Sequence, residues 1–363
     1  MVEWPDRVSG FGTHLGFALQ RGFFSKVVAV TYHADLKEVQ CDAELVRLLG
    51  VESSATPFDR LEWWDGLVNH CGIDPLLAVA HDGADLAVLP LMSSGKGIEA
   101  LANWYSFHVR PVISPGGDRT VLLEAIAEDL AKRTGALSLA GLPAEDGSAQ
   151  ALARAFRKAG WIVFSEPSDS NHVLYLSGRT FAQYIADRPG SLRTTLKRKA
   201  AKLDCQVYER FDDLVWADYE AVYAQSWKPA EASPDFLRAF ARAESDAGRV
   251  RLGIARHEGR PVATQLWTVE GCTAFIHKLA YLAEARALSP GSVLSAALFA
   301  HVIDRDEVSM IDFGTGDDGY KRDWMESVRL RYRLDMFRKE KPQNWPAIAR
   351  LLVRRLARRV NHG

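Results

Sequence analysis

The chain has 363 residues and a mass of 40.3 kDa, with 47% hydrophobic and 25% charged residues, enough for two ordinary globular domains and too apolar for a disordered chain. Its 45 basic and 46 acidic side chains leave a formal charge of -1, which excludes a polyanion binder working through bulk charge. The four cysteines, Cys41, Cys71, Cys205 and Cys272, stand far apart with no histidine at ligand spacing, so no metal site and no disulfide framework are expected, and a reducing compartment is. The amino end, MVEWPDRVSG, has no apolar h-region, and no run of about 18 apolar residues follows it, so the expectation is a cytoplasmic chain without a cleaved signal or a membrane span.

In chain order, 76–92 (LLAVAHDGADLAVLPLM) predicts two short strands joined at His81-Asp82-Gly83. Ser114-Pro115-Gly116 then precedes a helical pattern, RTVLLEAIAEDLAKR, and an apolar strand, ALSLAGL. After the strand-like HVLYL, the run FAQYIADRPGSLRTTLKRKAAKL is read as helical, with a boundary near 170–178. Residues 249–281 predict three antiparallel strands broken at His257-Glu258-Gly259 and Glu270-Gly271. Ser289-Pro290-Gly291 again precedes a helical pattern, SVLSAALFAHVIDR, and a strand, VSMIDF. Hairpins and turns are offset by about 175 residues, the mark of an internal duplication of one strand, turn, helix and strand unit.

The string Gly314-Thr315-Gly316-Asp317-Asp318-Gly319 matches GxGxxG but fails as a dinucleotide fingerprint. Two carboxylates would face the diphosphate, and YKRDWMESVRL is not the apolar helix that packs behind such a turn. GxxxxGK[ST], HExxH and GxSxG do not occur. The segment 286–305, RALSPGSVLSAALFAHVIDR, is a glycine turn opening a helix. Its free N–H groups and helix dipole make a phosphate site, with Arg286 at the rim; a plain Ser-Pro helix start is the other reading.

Two basic patches remain. Residues 188–202 hold six Lys or Arg and no acid, but no interleaved aromatics, so a solvated helix face is expected there and no nucleic-acid partner. Residues 339–363 carry seven basic residues and one acid, +6, against -7 for the rest. On a helical wheel Trp345, Ile348, Leu352, Leu356 and Val360 share one side and Arg350, Arg354 and Arg358 the other, with Arg355 and Arg359 flanking. Such a helix either lies on an anionic bilayer through 343–363 or packs on the protein with its arginines snorkelling.

Meander, glycine turn, helix and strand, with HKLAYLAEARALSPGSVL followed by IDFGTGDDGYKRDW, resembles the BioF2-like, CelD-like acetyltransferase domain of the Gcn5-related N-acetyltransferase (GNAT) superfamily, which is similar to the FemABX transferases. The opening TPFDRLEWW and the basic SLRTTLKRKAAKL resemble the same family, so the likeness covers roughly 56–338. It departs from the usual Q/RxxGxG/A loop, which is reduced here to one glycine in Arg286–Gly291. The resemblance implies an α/β (α+β) fold of tandem GNAT-like domains, each a mixed, mostly antiparallel sheet flanked by helices. The corresponding division is an extension at 1–55, domains at 56–177 and 178–338, and a tail at 339–363.

It further implies an acyl-CoA-dependent N-acyltransferase with acetyl-CoA or a longer acyl-CoA as cosubstrate, held by Arg286, Leu288, Ser289, Gly291, Ser292 and Val293, and no metal. The acceptor expected is a small-molecule or lipid amine, such as a sphingoid base, or an amino sugar of an envelope polysaccharide. His277 is the candidate base, counted on one strand face with Phe275, Leu279 and Tyr281, and Tyr320 the candidate proton donor to sulfur. Asp312 is expected to orient His277 or to bind the ammonium, Asp317 to take that second part, and Lys321 to meet phosphate or a substrate carboxylate. A FemABX-like aminoacyl transferase and a non-catalytic accessory protein of envelope synthesis are the alternatives, and the oligomeric state is open.

Overall fold

Two runs of elements in nearly the same order follow each other along the chain. The computed structural model describes residues 28–95 and 97–360; the amino-terminal stretch read for a leader and residues 361–363 lie outside them. The first run is β1 (Ala29–His33), α1 (Leu36–Gln40), α2 (Ala43–Leu48), α3 (Leu61–Cys71), β2 (Asp74–Asp82), β3 (Asp85–Ser94), β4 (Gly97–Ala100), β5 (Val112–Ile113), α4 (Arg119–Arg133), β6 (Ala136–Pro143), α5 (Ser148–Lys158) and β7 (Ile162–Tyr175). The second is α6 (Phe181–Ala186), α7 (Gly190–Lys199), β8 (Asp204–Tyr208), α8 (Asp213–Ala224), α9 (Pro234–Asp246), β9 (Val250–His257), β10 (Arg260–Glu270), β11 (Thr273–Tyr281), α10 (Pro290–Asp304), β12 (Met310–Thr315), α11 (Gly319–Trp324) and β13 (Ser327–Phe337). A last helix, α12 (Trp345–Val360), follows.

The strands form one sheet in the order β1-β2-β3-β4-β6-β13-β7-β12-β11-β10-β9-β8, with β5 on β3. At its centre each half has given its last strand to the other. β7 pairs with β12, β13 pairs with β6, and β7 and β13 run antiparallel from Ser327–Val173 to Phe337–Ile162. Pro167, which cannot donate to the ladder, sits beside the register shift at Arg331/Tyr332, where a bulge tolerates it. Among the described pairings β4–β6 and β11–β12 are parallel and the rest antiparallel.

Alternation along the strands builds three cores. In β2, Leu77 and Val79 face a core shared by both halves under α1, α2, α3, α8 and α9, while Ala78 and Ala80 face a second core under α4 and α5. The C-terminal half packs α6, α7 and α10 over a third core, with Leu294, Leu298 and Phe299 against Trp267 and Ile276.

Two expectations change. Residues 29–49, assigned to an extension, supply α1, α2 and β1, which pairs with β2 from Ala29–His81 to His33–Leu77. The helical run 181–203 is broken, because Pro189 has no N–H to continue a helix and takes an extended ψ of 138°; α7 restarts at Gly190. Among the described residues no helix is long and apolar enough to cross a membrane.

Candidate active site

Strands β11 and β12 pair at Thr273–Met310, Ala274–Ile311 and Phe275–Asp312, and then part. Beyond the fork lies a cleft of about 160 Å³, bounded by β11 from Ile276 to Leu279, by the end of β12 and by the start of α11. A β-bulge shapes its wall. Leu266 pairs with Lys278 and Trp267 with Ile276, so His277 is an extra residue with no partner on β10.

That bulge corrects the period-two count. Phe275 and Ala280 both face the shared core, whereas Ile276, Leu279 and Tyr281 face the α10 side. Leu279 and Tyr281 therefore do not share a face with His277, since one extra residue flips everything after it. The His277 ring stands among Phe240 (5.0 Å), Phe107 (5.5 Å), Phe58 (6.1 Å) and Trp63 (6.4 Å), and its Nε2 shares a 2.8 Å hydrogen bond with the Thr268 hydroxyl. Desolvation by this wall, helped by the charges of Lys278 and Arg60, lowers its pKa to about 3, so the imidazole is neutral at pH 7.

Asp312 does not orient His277. It is buried, accepts two bonds from Asn171 Nδ2 (3.1 and 3.0 Å) and one from the Gly314 N–H (2.8 Å), and so fixes the end of β12. Gly314 has φ +69°, and a Cβ there would lie 2.9 Å from the Phe107 ring, so this first glycine of the GxGxxG string serves close packing. Asp317 bonds to His172 Nε2 (3.0 Å) and Arg322, and is not in the cleft wall; the neighbouring Asp318 is.

Tyr320 and Lys321 do line the cleft. Tyr320 sits edge-on to Phe313 at 5.6 Å, and burial, then the charges of Asp318 and Tyr281, push its hydroxyl up to about 12, leaving it a neutral donor. Lys321 is buried and its Nζ donates to the carbonyls of Thr315 (2.5 Å) and Gly314 (3.4 Å), with its pKa lowered by desolvation.

Following β11, past a short turn, Ser289 caps α10 in the left-handed region (φ 50°) and makes no side-chain cap bond. Pro290 has no N–H to satisfy, and the carbonyl of Ser289 is taken by Val293. The positive end of a fifteen-residue helix is thus left without an acidic cap, and Lys199 Nζ from α7 donates to Ser289 Oγ at 2.8 Å. At Gly291 a Cβ would crowd the Tyr281 ring at 3.2 Å. Leu288 and Ser292 are half-buried, Val293 is core, and Arg286 is exposed on the turn before the helix.

Sequence reasoning missed Lys199, which lay in a patch read as solvated, and Asp318, passed over for its neighbour. It also missed Trp104 and Phe107, which the N-terminal half sends into this cleft, and Lys228 from the α8–α9 loop. Lys278, on the bulged strand, pairs with Glu231 at 2.8 Å, and Tyr105 donates to the same carboxylate.

Residues 190–322 match a family model described as an acetyltransferase (GNAT) domain. No curated protein matches the chain. Among solved structures it is similar to FemX (10% identity, TM-score 0.56, covering 84% of this chain and 96% of that one) and to L-PGS from Bacillus licheniformis (13%, 0.51, 84% and 97%). It is also similar to a tandem GNAT protein from the clavulanic acid biosynthesis pathway (14%, 0.50, 85% and 98%). At these identities the likeness establishes the fold.

Proposed function

The chain carries a GNAT domain within a tandem fold like that of FemX, and from this premise we propose that it is an acyl-CoA-dependent N-acyltransferase whose C-terminal half does the chemistry. The observation that carries this reading is an open β11–β12 fork beside an α10 entrance with no acidic cap and Lys199 at its rim. The diphosphate of the donor rests on the free Gly291 and Ser292 amides, within the Ser289 to Val293 turn, and the thioester arm enters the fork.

The amine nitrogen attacks the thioester carbonyl, whose oxygen is polarised by a backbone N–H at the bulge. A C–N bond forms, the C–S bond breaks, and Tyr320 gives its proton to the thiolate. Neutral His277 accepts a hydrogen bond from the amine; with its pKa at about 3 it does not hold the proton, which leaves through solvent at the open mouth and returns to Tyr320. Asp312 positions Gly314 and hence the β12 wall.

Amine-dependent thiol release from acetyl-CoA, together with a coenzyme A-induced rise in melting temperature, is the expected result. Neither a shift nor thiol release is the result that discards the reading and leaves a FemABX-like aminoacyl transferase or an accessory protein.

The tail fits a membrane-facing role. Trp345, Leu352, Val353 and Leu356 are exposed on α12, with Arg350 and Arg354 also exposed. We read this helix as lying on an anionic bilayer, which suits a lipid-linked amine or an envelope amino sugar as acceptor. Cosedimentation with anionic liposomes should be lost on deleting 343–363; equal sedimentation of the two forms removes the membrane contact.

A further inference from the structure

The cleft holds opposite charges that do not close on each other. Lys278 is already neutralised by Glu231 at 2.8 Å, and Lys321 is committed to the carbonyls of Thr315 and Gly314. Lys228 and Asp318 are different. Both line the cleft, and among the described residues neither forms an ion pair. Lys228 is half-buried, its Nζ lies 5.4 Å from the Trp227 ring centroid, and its pKa is lowered by desolvation and by Lys278 while Asp318 acts the other way. Asp318 opens α11, and its side chain makes no bond to the helix amides.

Holding a cation part-way out of water without a counter-ion is costly, and a ligand anion removes that cost. Beside these two charges stands Trp104, 64% exposed, a large ring held by the N-terminal half against the cleft of the other half. An exposed tryptophan on a cleft wall offers a flat apolar surface to whatever joins the two charged ends of a ligand.

We propose that the cleft selects acceptors whose reacting amine stands close to an anionic group, a carboxylate or a phosphate: Lys228 takes the anion, Asp318 draws in the ammonium form, and Trp104 covers the linker between them. This rests on the acyltransferase reading for what happens next, but the binding itself does not. It favours an amino sugar phosphate, an amino acid or a phosphate-bearing lipid amine over a free sphingoid base, which carries no anion.

The test is calorimetric binding of four probes to the full chain: β-alanine, phosphoethanolamine, propylamine and ethanolamine. The first two are expected to bind about tenfold or more tightly than the last two, the gain of a charge-assisted contact. Lys228→Gln should erase that preference, and Asp318→Asn should weaken all four. The β-alanine and phosphoethanolamine arms separate a carboxylate from a phosphate as the anion. Equal binding of all four probes, or a preference that survives Lys228→Gln, overturns the proposal. So does a Lys228→Gln variant that loses coenzyme A affinity while its amine binding is unchanged, since Lys228 then belongs to the donor. Preference for zwitterionic probes without any coenzyme A binding sustains this inference and discards the acyl-CoA reading, so the two fail separately.

Discussion

At the mouth of α4, Asp118 accepts from the Thr120 and Val121 amides at 2.9 and 3.2 Å; at the mouth of α10, 171 positions after it along the chain, Ser289 makes no such bond and Lys199 approaches instead. One copy of the repeated unit has an anion built into its helix entrance. The other has a cation beside an entrance with no anion of its own. The forks differ in the same sense. Past the β4–β6 pairs at Ile98–Leu137 and Glu99–Ser138, the chain returns and Val109 N–H donates to the Gly141 carbonyl at 3.1 Å, so the N-terminal fork is filled by its own loop. Buried Arg331, from the exchanged β13, donates to the Phe107 carbonyl at 3.0 Å and pins that loop. A duplicated fold can thus keep one open cleft and turn the other copy's loop into a wall of it, since Trp104 and Phe107 reach the C-terminal cleft from there.

The comparison can be broken or sharpened by substitution. Tyr320→Phe should lower kcat by about 100-fold, the usual scale for a lost general acid, with coenzyme A affinity unchanged; steady-state kinetics showing a normal kcat would remove Tyr320 from the proton path. Ser289→Asp gives α10 the acidic cap that α4 has and should weaken coenzyme A about 30-fold, through repulsion and loss of free amides. Gly314→Ala forces a Cβ toward Phe107 at positive φ and should cost about 2 kcal/mol of stability by chemical denaturation, closing the fork from its own side. Asp118→Ala should cost about 1 kcal/mol and create no second coenzyme A site, because the loop still fills the N-terminal fork.

A further test lies in the pH dependence of stability. His277 has its pKa lowered from 6.5 to about 3, so between those values the unfolded chain binds a proton that the folded chain refuses. Its contribution to stability is full above about 6.5 and is lost as pH falls toward 3. His277→Gln should flatten that part of a melting-temperature profile; an unchanged slope would mean the ring is not kept neutral by its surroundings.

Much of the fold was legible because it is local. The turn at Glu258-Gly259, the Ser-Pro-Gly starts and their repeat offset are written in neighbouring residues, and β9, β10, β11 and α10 follow from them. The strand exchange was not, since nothing in β7 or β13 says which half they will pair with. The bulge at His277 inserts one residue into a pattern that reads as regular alternation, and so the face of Leu279 and Tyr281 was misassigned. Asp317 and Asp318 are adjacent and chemically alike; which one faces the cleft is set by the chain's path through Gly316 at φ +95°. Lys199 and Trp104 belong to the site through tertiary packing alone, from a basic helix and from the other half of the molecule.

Titration calorimetry of coenzyme A against the full chain and against Ser289→Asp tests the difference between the halves most directly. One equivalent bound per chain, with affinity lost in the variant, is the result predicted here. Two equivalents, no heat at all, or an affinity indifferent to the new carboxylate would contradict it.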